Sequence, residues 1–214
     1  MVDAPYNAAA PIRGRSRAMR ITGGSLGGRK LASPPRGVRP SADRVRESLF
    51  GRLTAWDHAE AWNVLDLYAG TGALGIEALS RGAARAVFVE RSRPALAVLR
   101  RNLHVLDLEG RSRVLAADVR GVARRLAAEG ECFQLVLADP PYADAEPAGP
   151  LAELAAEGLL APDAVVVVER SRRHSLPEIP GLRPRDSRRY GDTVLEWLVP
   201  TQGGDPETQG EPPA

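Results

Sequence analysis

The chain has 214 residues, 43% hydrophobic and 26% charged, which suits one catalytic domain with a small appendage and excludes wholesale disorder. No run reaches the roughly 18 apolar residues of a membrane span, and the Arg- and Ala-rich start lacks the apolar centre of a secretion signal, so a cytoplasmic protein is expected. The net charge of +2 is unevenly spread: residues 1–52 hold 11 basic against 3 acidic residues and residues 170–190 hold 7 against 2, leaving the remainder acidic, a segregation that attracts polyanions such as nucleic acid through counterion release.

In chain order, residues 1–18 and 201–214 are poor in large apolar side chains and read as disordered tails, the first of them basic. Residues 19–60 read as a small N-terminal extension. Met19 to Leu31 is predicted as a hairpin whose turns use Gly23, Gly24, Gly27 and Gly28, and Ser41 as the N-cap of a helix to about Leu53 with Val45, Leu49 and Phe50 on one face. Residues 61–200 form the main domain, where β-rich runs alternate with helical ones as in crossover units of a parallel sheet. The strands are Val64–Leu67, Ala86–Val89, Val114–Ala116, Leu135–Ala138 and Val165–Val168, and the helices lie near Leu74–Ser80, Pro94–Leu106, Val119–Ala128 and Pro150–Glu157. Leu96, Leu99, Leu103 and Leu106 recur at helical spacing and predict a core stripe. Leu182–Tyr190 and Thr193–Leu198, joined by Gly191 and Asp192, predict an antiparallel hairpin at the sheet edge. Cys132, the single cysteine, is expected to be a small buried residue, and His58, His104 and His174 are given no chemistry. No metal-ligand spacing is present.

Three features carry chemistry. Gly70, Gly72 and Gly75 match G-x-G-x-x-G between a strand and a helix, a pattern that predicts a nucleotide-like ligand without separating a dinucleotide from S-adenosylmethionine. Glu90 ends the second strand, 20 positions after Gly70, where a carboxylate can accept both hydroxyls of an adenosine ribose. Asp118 ends the third strand and can meet an adenine edge with the amide of Val119 beside it, or can simply cap a helix. The element that discriminates is Asp139-Pro-Pro-Tyr142 after the fourth strand. Its rigid prolines present the Asp139 carboxylate and the Pro140 carbonyl as two acceptors for an exocyclic NH2, with Tyr142 available to stack on an extruded base.

These segments resemble the bacterial RsmD family, which methylates N2 of a guanine in small-subunit (16S) ribosomal RNA. The resemblance runs from about Met19 to Val199. It rests on Arg20-Ile-Thr-Gly-Gly24 with Gly28-Arg-Lys-Leu31, on Arg39-Pro-Ser-Ala-Asp-Arg-Val-Arg-Glu-Ser-Leu-Phe50, on Leu65 through Gly75, on Asp139 to Tyr142 and on Tyr190-Gly-Asp-Thr193. The Arg39 to Phe50 segment is the most family-specific, and Ser41 stands where the family more often has threonine.

The resemblance implies a seven-stranded class I methyltransferase (Rossmann-like) domain behind an extension that engages RNA. Asp66, Tyr68, Gly70, Gly72, Gly75, Glu90, Asp118 and Val119 would hold S-adenosylmethionine, and Asp139, Pro140 and Tyr142 the base. Arg20, Arg29, Lys30, Arg39, Ser41, Arg44 and Arg46 would face the RNA. The expected partner is ribosomal RNA in the 30S subunit or an assembly intermediate, with the protein a monomer that needs no metal. The rivals are an adenine-N6 or cytosine methyltransferase on DNA or another RNA, a non-catalytic RNA-binding assembly factor, and a nicotinamide dehydrogenase, for which the Asp139 motif has no use.

Overall fold

The computed structural model describes residues 19–32, 41–55, 61–141 and 147–201. Residues 1–18 and 202–214 of the predicted tails, Arg39, His58 and Tyr142 lie outside them, as does the side chain of Ser41.

Five strands run parallel: β1 (Asn63–Leu67), β2 (Arg85–Glu90), β3 (Ser112–Ala116), β4 (Phe133–Ala138) and β5 (Leu160–Ser171). The hairpin of β6 (Leu182–Tyr190) and β7 (Thr193–Pro200) closes one edge, with β7 antiparallel to β5 and Tyr190 paired to Thr193 across the predicted turn. The sheet order is β3-β2-β1-β4-β5-β7-β6, the expected α/β architecture. The chain therefore starts at the centre, winds outward through β2 and β3, and returns to β4 on the other side of β1. A crevice opens where the winding reverses, at the carboxyl ends of β1 and β4.

Alternation along each strand builds two cores. One face carries Val64, Phe88, Leu135, Leu137 and Trp197 and is covered by α1 (Ser41–Ala55), α2 (Ala73–Ser80) and α3 (Arg93–Val105). The other carries Leu65, Leu67, Val87, Val89 and Val136 under α4 (Val122–Ala128) and α5 (Ala148–Ala156). Because β1 and β4 are covered on both faces, they read as near-continuous apolar runs. The predicted leucine stripe of α3 is buried, as are Val45, Leu49 and Phe50 of α1.

Several boundaries differ from those expected. Helix α4 begins at Val122 rather than Val119, because Gly121 is left-handed at φ 76° and Asp118 to Arg120 form a turn instead. Helix α1 already includes Ser41, so this residue is its first helical position rather than a cap. Strand β5 is 12 residues long, since its outer half is paired by β7. Cys132 is exposed, a correction to the buried position expected: the strand begins one residue later, and Phe133 is the side chain that enters the core.

The predicted N-terminal hairpin is an antiparallel pair with one ladder bridge, Arg20 to Lys30, flanked by Ile21 N–H to Arg29 O (3.0 Å) and Leu31 N–H to Met19 O (2.9 Å). It docks on α2 and α3 through buried polar groups. Glu77 of α2 is fully buried and accepts from Thr22 N–H (2.8 Å), Thr22 Oγ1 (2.7 Å) and Arg81 Nε (2.9 Å), with Arg46 Nε of α1 at 4.0 Å. Ser80 Oγ donates to Gly23 O (2.6 Å) and accepts from Leu26 N–H (3.0 Å). Gly24, at φ 74°, lies so close that a Cβ there would sit 2.0 Å from Ser80 O. Asn102 of α3 accepts from Ala32 N–H (2.8 Å) and donates to Ala32 O (3.1 Å) and Thr71 O (3.0 Å), joining this segment to the glycine loop.

Removing one partner of a buried charge cluster leaves the others unneutralised, at a cost of about 3–5 kcal/mol. Glu77→Ala is therefore expected to lower the urea-unfolding free energy by that amount while an exposed Glu178→Ala leaves it within about 0.5 kcal/mol. Equal midpoints for the two variants would show that Glu77 holds nothing together.

Candidate active site

A cavity of about 520 Å³ opens at the carboxyl ends of β1, β2, β3 and β4, within the range of small-molecule sites. Each strand delivers one polar element to it: Tyr68 and Gly70 after β1, Glu90 at the end of β2, Asp118 and Arg120 after β3, and Asp139 with Pro140 after β4. Val89, Ala95 and Val119 add apolar wall. Sequence elements far apart are brought together here because all these strands point their carboxyl ends the same way.

The glycine loop is strapped from two sides. Asp66 Oδ2 accepts from Gly75 N–H (2.9 Å) beneath it, and Glu90 Oε2 accepts from Gly70 N–H (2.9 Å) at its rim. The other oxygen of Glu90 accepts from Ser92 N–H (2.6 Å), so both lone-pair faces are anchored while the carboxylate remains on the cavity wall. Tyr68 is held at φ 56°, a left-handed conformation that a bulky residue adopts at a cost of about 1–3 kcal/mol. Burial, then the charge of Asp118, raise the Tyr68 phenol above its ordinary value. Asp118 Oδ1 accepts from Arg120 N–H (3.0 Å) and Oδ2 from Arg91 Nη1 (2.8 Å), and these partners hold its carboxyl below the usual range.

Of the cofactor residues predicted, Tyr68, Gly70, Glu90, Asp118 and Val119 line the cavity. Asp66, Gly72 and Gly75 do not, and their physical role is different. A Cβ on Gly72 would lie 2.4 Å from Leu99 Cδ1, and one on Gly75 would lie 2.4 Å from Phe88 Cε1 and 3.0 Å from Asp66 Oδ2. These two glycines let the loop pack onto the sheet and α3, and Asp66 supports it from a buried position. Of the base-binding residues, Asp139 and Pro140 line the same cavity.

Among the predicted RNA-facing residues, Arg20, Arg29, Lys30 and Arg44 are exposed. Arg46 is corrected: it is 4% exposed, its Nη2 donates to Arg20 O and to Asp43 Oδ1 (2.7 Å), and it faces Glu77, so its charge is neutralised inside the protein. Burial side and partner cannot be read from a one-dimensional count of basic residues. Sequence reasoning also missed Arg91 and Ser92 on the cavity wall; their adjacency to Glu90 was the available signal. Among the described residues no cluster of His, Cys, Asp or Glu is arranged to hold a metal ion, and no helix is long and apolar enough to cross a membrane.

Sheet order, glycine loop and acid-lined cavity at the switch point define the fold of a class I methyltransferase. Comparison with known proteins agrees: the family described as Conserved hypothetical protein 95 matches residues 19–199. The chain is 39% identical over 171 residues to ribosomal RNA small subunit methyltransferase D of Escherichia coli strain K12, covering 79% of this chain and 83% of that one. It is 31% identical over 155 residues to the protein of the same name from Haemophilus influenzae, covering 72% and 79%. A solved hypothetical protein of Thermus thermophilus is 33% identical with a TM-score of 0.71, covering 86% of this chain and 99% of that one. The chain belongs to this family, the RsmD family of ribosomal RNA methyltransferases.

The Asp66 carboxyl is raised to about 7, first by burial, against the Gly75 N–H that lowers it, and further by the charge of Glu90. Its value in the fold thus exceeds its unfolded value, so this group favours folding fully below about pH 4 and progressively less as pH rises through 7, by about 4 kcal/mol in all. The stability of the wild type relative to Asp66→Asn, measured by denaturant unfolding, is expected to fall across that window. Parallel profiles for the two proteins between pH 4 and 8 would refute the assignment.

Proposed function

We propose that this protein transfers a methyl group from S-adenosylmethionine to the exocyclic N2 of a guanine in small-subunit ribosomal RNA, working in the cytoplasm. The observation that carries the reading is the shared cavity: Asp139 and Pro140 on one wall, Glu90 and Asp118 on the others, Gly70 at the rim. The relatives named for ribosomal RNA methylation support the RNA substrate.

The cavity's chemistry fits the cofactor. Glu90 offers carboxylate oxygens to two ribose hydroxyls, Asp118 an acceptor to the adenine amine, Val119 an apolar wall against the ring, and Gly70 room for close backbone approach. When bound, S-adenosylmethionine supplies an electrophilic methyl on a sulfonium whose departure leaves a neutral thioether. Asp139 and the Pro140 carbonyl then accept the two N–H bonds of the target amine and draw its lone pair out of ring conjugation, towards the methyl. Orientation of this kind is worth on the order of several kcal/mol. Asp139, exposed to the cavity, accepts the proton that the amine becomes ready to lose once the new C–N bond forms. Tyr142 stacks on the extruded base, and the 19–60 extension with Arg20, Arg29, Lys30, Arg39, Ser41 and Arg44 meets the surrounding RNA.

The test is labelled methyl transfer to undermodified small subunits, with the product nucleoside mapped. N2-methylguanine is the expected product; methyl on an adenine or cytosine would replace this reading. Asp139→Ala is expected to lower kcat by about 100-fold or more while S-adenosylhomocysteine affinity stays within a few-fold. Glu90→Ala should do the reverse, weakening the cofactor about 10- to 100-fold through the loss of a charged acceptor, as read by calorimetry.

A further inference from the structure

Helix α3 carries exposed cations that none of the described residues neutralises. Arg93, Arg100 and Arg101 project into solvent with no ion-pair or hydrogen-bond partner among the described residues. The helix contains no Asp or Glu at all, whereas an exposed helix is ordinarily laced with acid–base pairs one turn apart. Arg93 even sits in the first turn, where the helix dipole disfavours positive charge. Of the flanking acids, Glu90 is engaged by Gly70 and Ser92 N–H and Glu109 by His104 (3.1 Å), and Asp107, past the end of the helix, is paired with none of the three arginines.

Several other surface arginines are matched. Arg85 pairs with Glu131, Arg113 with Glu129 (2.6 Å), Arg125 with Glu129 (3.2 Å) and Arg172 with Asp192 (2.6 Å). Arg44, Arg120 and Arg173 are exposed without such a partner among the described residues too, but on α3 three such cations share one acid-free helix.

Position gives the departure a use. The N-terminal end of α3 grows out of the cavity wall, where Arg91, Ser92 and Ala95 line the pocket. Its C-terminal end meets the N-terminal segment: Arg29 Nη2 donates to Val105 O (2.9 Å), and Asn102 is tied to Ala32. Arg93 to Arg101 spans about 12 Å at 1.5 Å per residue, long enough to meet more than one phosphate of a strand. The exposed positions between these arginines are Ala97 and Pro94, and the large apolar side chain exposed on the helix is Val105 alone, at its last residue, so the face lacks the broad apolar stripe of a membrane-lying helix.

We infer that the exposed face of α3 is a phosphate-binding track that grips the RNA backbone between the cavity mouth and the 19–32 segment. This rests on the RNA-substrate reading above. Arg93, Arg100 and Arg101 contact phosphates and carry no base identity, so they set affinity and register while the cavity selects the base.

The experiment uses the full chain and a small-subunit ribosomal RNA transcript, titrated from about 50 to 200 mM KCl. In Arg93→Gln/Arg100→Gln/Arg101→Gln the slope of log affinity against log salt is expected to become shallower by about 2–3, and binding at the lower salt to weaken at least tenfold. Thermal midpoint and S-adenosylhomocysteine affinity should match the wild type, since these side chains are outside core and cavity. Arg124→Gln, on α4 at the opposite face, should leave the slope unaltered. An unchanged slope in the triple variant overturns the proposal, even if transfer to assembled subunits falls, because that pattern means a protein contact. Failure of the methylation reading looks different: the wild type would then transfer no methyl to guanine, whatever its salt slope.

Discussion

The site depends on a glycine loop that must stay open to a ligand and yet not move. Its amides would prefer water or a partner, and two carboxylates supply one each, Asp66 from below at Gly75 and Glu90 from the rim at Gly70. The two acids live in opposite environments. Asp66 is buried, which raises its carboxyl to about 7; Glu90 is on the cavity wall, where a ligand hydroxyl can share it. A loop held in this way presents backbone where side chains would block approach, and its rigidity costs nothing further when a ligand arrives.

Much of this is legible in the chain itself. Parallel strands buried on both faces leave apolar runs, and β1, β2 and β4 are visible for that reason; the leucines of α3 recur at 3.6-residue spacing and are visible too. The carboxyl-edge positions of Glu90, Asp118 and Asp139 follow from strand ends. What cannot be read is depth. Gly70, Gly72 and Gly75 look equivalent in a motif, yet Gly70 meets the cavity while Gly72 and Gly75 are pressed against Leu99 and Phe88. Arg46 looks like its neighbour Arg44, but its position around the helix decides which of them faces Glu77. Cys132 escapes the reading because a single residue of strand offset flips a side chain from core to solvent.

The arginines divide into two populations that composition alone merges. One belongs to the fold: Arg46 and Arg81 around Glu77, and Arg170 with Glu196, have their charge neutralised internally. The other remains available, with Lys30, on Arg44 and the outer face of α3. A basic isoelectric point therefore overstates the cationic surface in some regions, such as the 170–190 hairpin where Arg172 and Arg188 are matched by Asp192 and Asp186, and understates it on α3, which lies in the part of the chain with acidic net charge.

Helix α2 links two of these systems mechanically. Its first turn leaves the glycine loop at Gly72, and its last turns hold the N-terminal segment through Glu77 and Ser80. Eight residues make a rod of about 12 Å, too short to bend. The Arg20 to Lys30 ribbon and the glycine loop are therefore fastened to opposite ends of one short helix, so the outer ribbon and the loop beside the cavity share a single support.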